Sequence, residues 1–188
     1  MFETTFSIIR IACFMLSKNK ERRLALKYDR AGDTKARDNV VFGVVPLWAR
    51  FVFSDVMKAS VEVEGAEKVP SDRAVVFIAN HQGNMDIPLL FGYINKPMTF
   101  VAKAELGKIP LLSDWMKLLQ CTFLERKSPR KSIQAIHDAA EGVKKGQHIR
   151  LIIHDPIETA GLSKDELSKI PKEVENIVFA PLTQKESE

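Results

Sequence analysis

The chain has 188 residues, 45% hydrophobic and 28% charged, so it is long enough to bury a core and does not have a disordered composition. Two cysteines are too few for a disulfide framework or a four-thiolate zinc site. Residues 1–50 carry 10 Lys/Arg against 5 Asp/Glu, whereas residues 51–188 carry 18 against 19. A uniformly basic nucleic-acid binder has a different charge distribution, so no nucleic-acid partner is expected.

The first predicted element is an apolar stretch over residues 6–16 that is interrupted by Arg10. It is shorter than the roughly 20 residues that a membrane-spanning helix needs. The central arginine and the lack of a small-residue cleavage site argue against a signal peptide. Cationic residues follow from Lys18 to Arg30, a pattern that suits the interface of an anionic membrane. We therefore expect residues 1–57 to form a helical arm that associates with a membrane surface.

A second apolar stretch covers residues 40–57 and contains Pro46, Arg50 and Asp55. One interpretation is another amphipathic helix that lies on the membrane surface. The alternative is that both apolar stretches are core helices of a soluble domain. The sequence leaves these two interpretations open.

From about residue 58, short apolar runs alternate with helical patterns. Residues 61–70 alternate as a half-exposed strand does, and they end in a turn. Continuous apolar runs predict further strands at 74–79, 98–102, 121–124 and 149–153. The predicted class is therefore α/β, a sheet covered by helices, in a domain spanning residues 58–188.

Helix signals lie between and after these runs. Ser128 as N-cap and Pro129 as first helical residue predict a helix that closes near Gly146. Residues 163–166 read as a capping box, and Pro171 is expected to start a last helix.

The loop after the predicted strand 74–79 reads Asn-His-Gln-Gly-Asn-Met-Asp, from Asn80 to Asp86. Strand-to-helix loops of α/β sheets are where ligand chemistry collects. His81 is a candidate general base, and a carboxylate on its other ring nitrogen would fix its tautomer. Gly83 is expected to let the loop fold back so that His81 and Asp86 meet. In the alternative reading, Asp86 only caps the following helix and His81 is a polar loop residue.

These residues resemble the first motif, Asn-His-x4-Asp, of the glycerophospholipid acyltransferases, especially the bacterial 1-acylglycerol-3-phosphate acyltransferases. Two later motifs of that family match in order. The first, Lys-x-Glu-Leu followed by Pro, is matched by Lys103, Glu105, Leu106 and Pro110. The second, Phe-x-x-Arg, is matched by Phe123 and Arg126. The resemblance covers roughly residues 50–182.

The resemblance implies a His–Asp dyad without a serine nucleophile. His81 would take the proton of the sn-2 hydroxyl of lysophosphatidic acid, while Asp86 orients the imidazole. The alkoxide would attack the thioester of acyl-CoA or acyl-carrier protein and give phosphatidic acid for phospholipid biosynthesis. General-base help of this kind is typically worth ~10²–10⁴ in rate.

The same resemblance assigns the acceptor phosphate to Lys103 and Arg126. Asn80 and Gly83 complete the candidate substrate-binding residues. No metal and no cofactor is implied, and the acyl donor is a co-substrate. The implied location is the cytoplasmic face of the cell membrane, held peripherally or monotopically, with the lysophospholipid, the acyl donor and an anionic membrane surface as partners.

The sequence departs from the family at one place. A strand ending Phe-Pro-Glu-Gly-Thr-Arg should follow a helix such as the one predicted to end near Gly146, but His148 and a different strand come directly after it. We infer an internal gap near 147–149, which removes a phosphate-binding arginine and part of the sheet. The expected result is an incomplete sheet and low or absent acyltransferase activity.

Two other functions remain open. One is a catalytically inactive, membrane-associated, shortened homologue. The other is a metal-dependent hydrolase that would use His81, Asp86, His154 and Asp155. The four histidines of the chain show no tight ligand spacing, which speaks against the metal alternative.

Overall fold

A computed structural model describes residues 2–80, 83, 85–124 and 148–183. The helices are α1 (Phe2–Ser17), α2 (Asn19–Arg30), α3 (Thr34–Phe51), α4 (Asp86–Tyr93), α5 (Leu112–Leu118) and α6 (Lys164–Thr183). The strands are β1 (Ser60–Glu64), β2 (Val101–Lys103), β3 (Thr122–Leu124) and β4 (His148–Ile152). A π-helical turn, Val52–Val56, continues α3, and short 3-10 turns cover Ala66–Lys68 and Ala104–Lys108. The helix predicted to open at Ser128 lies outside the described residues.

The described strands form two sheets of two strands each. Strands β2 and β3 are parallel, with Val101 opposite Thr122 and Lys103 opposite Leu124. Parallel strands need a crossover connection, and α5 supplies it. The second sheet joins β1 to β4. The prediction of an α/β fold with an incomplete sheet is therefore confirmed.

The prediction of a buried strand over residues 74–79 is wrong. These residues form no strand, and Val76 and Ile78 are 87% and 62% exposed. Apolar β-branched residues become a strand only where a neighbour completes the hydrogen-bond ladder and covers a face. No described strand pairs with this segment.

Two predicted boundaries also change. The strand expected over 98–102 is shorter and begins only at Val101. The last helix begins at Lys164 and runs through Pro171 instead of starting there. The capping box at its start is confirmed, because the Ser163 amide donates to Glu166 Oε2 at 2.8 Å and the Glu166 amide donates to Ser163 Oγ at 3.3 Å. This cap fixes the helix start seven residues before the proline.

The chain divides into two compact units, each described here by itself. Unit 1 comprises Met1–Glu62 and Gly83–Leu151, and unit 2 comprises Val63–Gln82 and Ile152–Glu188. The buried apolar residues of the described chain all belong to unit 1, and the largest fully buried side chains among them are Phe53, Leu118, Val41 and Val52.

Helix α3 is at the centre of the unit 1 core. Its buried face consists of Val41, Val44, Val45 and Ala49, and α2 and α4 pack against the helix. By length and apolar composition, the segment Thr34–Val56 meets the requirements of a membrane span, and 39% of its apolar 18-residue window is buried inside the protein. One face of the stretch 40–57 therefore belongs to the core of unit 1.

Helix α1 is attached to unit 1 along one side only. Arg10, which interrupts its apolar sequence, donates to the carbonyl of Asp55 at 2.8 Å and lies 5.5 Å from the ring centre of Phe51. The Phe51 ring also stacks on Phe14 at 4.9 Å. Large apolar side chains remain exposed on the other side of α1, namely Ile8, Ile9 and Leu16. Phe6 is also exposed, but it lies beside Arg10, whose guanidinium is 6.0 Å from the ring centre.

Unit 2 is held by backbone and polar contacts. The Ile153 amide donates to the Glu64 carbonyl at 2.8 Å, next to a turn at Gly65. Lys68 pairs with Asp155 at 3.3 Å, and a second ion pair joins an arginine and a glutamate of the unit. None of the described residues of unit 2 is buried.

Candidate active site

The helix that follows the motif loop begins at Asp86. An acidic residue in the first turn is favourable because the unpaired amides there give the helix a positive end. Pro88 also lies in the first turn, where its missing N–H costs no intrahelical hydrogen bond. The sequence thus places the carboxylate of the motif at a fixed point, the start of α4.

The Asp86 carboxylate is held by the backbone of its own loop. The Gly83 amide donates to Asp86 Oδ2 at 3.1 Å, and the Asp86 amide donates back to the Gly83 carbonyl at 3.3 Å. The predicted role of Gly83, which is to let the loop fold back, therefore leaves out this hydrogen bond. Its φ lies outside the left-handed region, and what it contributes is a hydrogen-bond donor.

The far end of α4 is docked on α3. Gly92 lies so close to α3 that a Cβ at this position would be 3.3 Å from the Cβ of Ala49. Arg50 Nε donates to the Gly92 carbonyl at 2.7 Å, which satisfies an unpaired carbonyl at the end of the helix. Burial raises the pKa of the neighbouring Tyr93 phenol, and the positive charge of Arg50 opposes this. Helix α4, which carries Asp86 at its start, is therefore held in place at both ends.

Lys103 is the last residue of β2 and is exposed. Its side chain makes no ion pair with another residue in the described part of the chain. It lies opposite Leu124 at the carboxyl end of the parallel β2–β3 pair. A cation without an ion-pair partner at a strand end suits an anionic ligand.

The turn after Lys103 carries a feature that the sequence did not reveal. Glu105 Oε2 is buried and has no hydrogen-bond partner among the described residues. The turn is tightly packed, because a Cβ at Gly107 would be 3.1 Å from the Phe123 ring. Its Lys-x-Glu-Leu motif thus combines an exposed cation with a partly buried carboxylate.

The remaining predicted site residues are less defined. Asn80 is half-buried in unit 2. His81 and Arg126 lie outside the described residues, so their catalytic and phosphate-binding roles stay predictions. Gly83 and Asp86 are the two predicted site residues that a described hydrogen bond brings together. Arg50, 42 residues from its partner Gly92, was missed because no local pattern reveals a contact between distant helices.

The metal alternative gains no support from the part of the chain that is described. No group of three or more His, Cys, Asp or Glu side chains there is arranged to hold a metal ion. Asp155 instead pairs with Lys68. His81 lies outside this search.

Comparison with known proteins agrees with the family that the sequence motifs resemble. The family model described as Acyltransferase matches residues 60–154, which is 95 of the 188 residues. A probable 1-acyl-sn-glycerol-3-phosphate acyltransferase of Mycoplasma genitalium is 30% identical over 149 residues, covering 77% of this chain and 51% of that protein. The chloroplast 1-acyl-sn-glycerol-3-phosphate acyltransferase of Arabidopsis thaliana is 29% identical over 107 residues, covering 56% of this chain and 29% of that protein. The chain thus spans about half of the first relative's length and less of the second's.

A solved structure shares the fold. The crystal structure of the 1-acyl-sn-glycerophosphate (LPA) acyltransferase of Thermotoga maritima superposes with a TM-score of 0.63 at 21% identity. The match covers 97% of this chain and 98% of the other. At this identity the likeness concerns the fold alone.

Proposed function

Because the chain belongs to the Acyltransferase family, we propose that it transfers an acyl group from acyl-CoA or acyl-carrier protein to the sn-2 hydroxyl of lysophosphatidic acid, which forms phosphatidic acid. The observation that carries the proposal is the Asp86 carboxylate, held on its own loop within the family-matched segment. The names of the relatives give the reaction class, since they are 1-acyl-sn-glycerol-3-phosphate acyltransferases.

In this proposal His81 removes the proton of the acceptor hydroxyl as the oxygen attacks the thioester carbonyl. The new C–O ester bond forms, the C–S bond breaks, and the proton passes from His81 to the leaving thiolate. Asp86 stabilises the imidazolium between the two proton transfers. Lys103, which is exposed, and Arg126 bind the acceptor phosphate, and Asn80 and Gly83 belong to the motif loop.

We also propose that turnover is low. The motif with a further phosphate-binding arginine is missing near 147–149, and the segment 74–79 that leads into the motif loop is unpaired in the described structure. Misplacement of a reacting group by about 1 Å can cost on the order of 10²-fold in rate. Weak acceptor binding and a low kcat are the expected signature.

The test is an acyl-transfer assay on the purified 188-residue chain with lysophosphatidic acid and acyl-CoA, or acyl-carrier protein, as donor. His81→Ala and Asp86→Asn should abolish the activity. Matched controls are His154→Ala and the exposed Asp72→Asn, which should retain it.

The outcomes separate the alternatives. Turnover at an ordinary enzyme rate of about 10 s⁻¹ would refute the impairment. No transfer with any donor would refute the enzyme and favour the non-catalytic homologue. Loss of activity with a chelator and in His154→Ala would favour the metal-dependent hydrolase.

We further propose that the N-terminal helices dock on the cytoplasmic face of an anionic membrane. The exposed apolar side of α1, with Ile9 52% and Leu16 55% exposed, supports this. Exposed cations recur at helical spacing on α2 and have no described ion-pair partner, namely Lys20, Arg23, Lys27 and Arg30. Each cation near an anionic surface is worth about 1 kcal/mol.

Vesicle sedimentation tests the docking. The chain should bind phosphatidylglycerol vesicles more strongly than phosphatidylcholine vesicles, and Leu16→Glu should weaken binding to both. The matched control is Leu167→Glu, at an apolar side chain of α6 that is also exposed. Equal losses in the two variants, or equal binding to the two lipids, would contradict docking through α1 and α2.

A further inference from the structure

The segment from Gly83 to Asp86 is closed by reciprocal hydrogen bonds that use no side chain at position 83. The Gly83 amide binds Asp86 Oδ2, and the Gly83 carbonyl accepts from the Asp86 amide. The same i, i+3 arrangement joins Ser163 to Glu166 at the start of α6, where a serine hydroxyl takes part as well. At Gly83 the backbone alone makes the contact.

The position needs an N–H group rather than the absence of a side chain. A Cβ at Gly83 would meet nothing within 4 Å, and its φ does not require glycine. Any residue with an amide hydrogen satisfies this geometry, whereas proline has none to donate. A hydrogen bond to an ionised carboxylate is also among the stronger ones in proteins.

The other end of α4 cannot shift to compensate. Gly92 is in close contact with Ala49, and Arg50 binds the Gly92 carbonyl at 2.7 Å. With the helix fixed there, the Gly83 amide is a contact that orients the Asp86 side chain from its own loop.

We propose that Gly83 is a positioning residue that orients the Asp86 carboxylate through its backbone N–H. The role of this contact in acyl transfer rests on the proposed function, but the contact itself does not. The tests therefore use one spectroscopic and one kinetic measurement.

The spectroscopic test uses the intact chain labelled with ¹⁵N-glycine. The chain has nine glycines. The signal that disappears in Gly83→Ala belongs to Gly83. In Asp86→Ala this amide should exchange with solvent about 10- to 100-fold faster, as expected for a lost hydrogen bond to a charged group. An unchanged Gly83 signal and exchange rate would overturn the inference, whether or not the protein is active.

The kinetic test compares Gly83→Pro with Gly83→Ala, which keeps the donor. The kcat of the proline variant should be at least about tenfold below that of the alanine variant, with the KM for lysophosphatidic acid within about threefold. Equal kcat values in the two variants, both folded by tryptophan fluorescence, would overturn the inference. If the proline variant does not fold, or the parent chain is inactive, the exchange measurement decides.

Discussion

Unit 1 and unit 2 are stabilised by different kinds of contact. In unit 1 the side chains of Phe53 and Leu118 are fully buried, and apolar burial is the largest favourable contribution to folding. In unit 2 none of the described residues is buried, and even the apolar Val76 and Phe179 are exposed. Its contacts are strand-end hydrogen bonds, a tight turn and exposed ion pairs, each of which contributes little.

This difference predicts in which unit a substitution should change stability and which measurement detects the change. Both tryptophans, Trp48 and Trp115, and both tyrosines, Tyr28 and Tyr93, belong to unit 1, so intrinsic fluorescence follows that unit. Unit 2 has to be followed by amide hydrogen exchange or by the circular dichroism of α6. Two of the four predictions compare the units through pairs of like residues, and the other two concern unit 2 alone.

The largest effect is expected at Phe53. Phe53 is 1% exposed, so Phe53→Ala should lower the free energy of unfolding by about 3–5 kcal/mol through lost burial and a cavity. Phe179 is 48% exposed, and Phe179→Ala should change the free energy of unfolding by less than about 0.5 kcal/mol. Urea unfolding followed by tryptophan fluorescence measures Phe53→Ala, and urea unfolding followed by the circular dichroism of α6 measures Phe179→Ala. Similar losses in the two variants would show that unit 2 buries apolar surface after all.

The second pair compares two arginines. Arg37 is 4% exposed and forms ion pairs with Asp29 at 2.9 Å and Asp38 at 2.7 Å. Burial lowers the pKa of its guanidinium, but the hydrogen bonds to the two carboxylates outweigh this and leave the pKa raised. Arg37→Ala should therefore cost about 2–3 kcal/mol, independently of pH between 6 and 9.

The control for Arg37 is Arg73, whose ion pair with Glu158 joins side chains that are 52% and 61% exposed. Arg73→Ala should cost less than about 1 kcal/mol, and the cost should fall further in high salt. Fluorescence for Arg37→Ala and hydrogen exchange in unit 2 for Arg73→Ala give the two values. A cost for Arg73→Ala as large as that for Arg37→Ala would remove the contrast.

Local signals in the sequence predicted local structure well. The capping box at Ser163 was predicted because it depends on residues within one helical turn. The strand 74–79 was predicted wrongly because a strand depends on a neighbour elsewhere in the chain. The sequence left the stretch 40–57 open between a surface helix and a core helix, because burial depends on what packs against it.

The same distinction applies to the candidate site. The pattern from Asn80 to Asp86 and the Lys-x-Glu-Leu motif predicted the family, which the family model confirms, and the candidate site residues, which stay predictions. The pattern did not reveal that Gly83 serves as a donor, or that Arg50 fixes the far end of α4. These are contacts of backbone groups, which leave little trace in the identity of the residues that carry them.

The third pair compares two glycines of unit 2. Gly65 and Gly161 have φ of +77° and +82°, so alanine is strained at both, at a cost of about 1–3 kcal/mol. A Cβ at Gly161 would meet nothing within 4 Å, but one at Gly65 would lie 2.1 Å from the Ile153 carbonyl oxygen. Gly65→Ala should therefore be the more destabilising and should accelerate exchange of the Ile153 amide. Equal effects would mean that backbone strain alone matters in this unit.

The smallest expected effect is a pH dependence at the start of α6. Hydrogen bonds from the Ser163 side chain and backbone lower the pKa of Glu166 below its ordinary value. A carboxyl whose pKa is lower in the folded state stabilises that state above its unfolded pKa, and this contribution is lost as pH falls through the folded pKa.

In the wild-type chain the Ser163 amide should thus be protected at pH 7 and lose protection in acid below the ordinary glutamate range. Glu166→Ala should remove that pH-dependent part, whereas the exposed Glu173→Ala on the same helix should keep it. Hydrogen exchange of the Ser163 amide, corrected for the intrinsic pH dependence of exchange, measures the difference. The same profile in all three chains would show that the capping box contributes nothing to the start of α6.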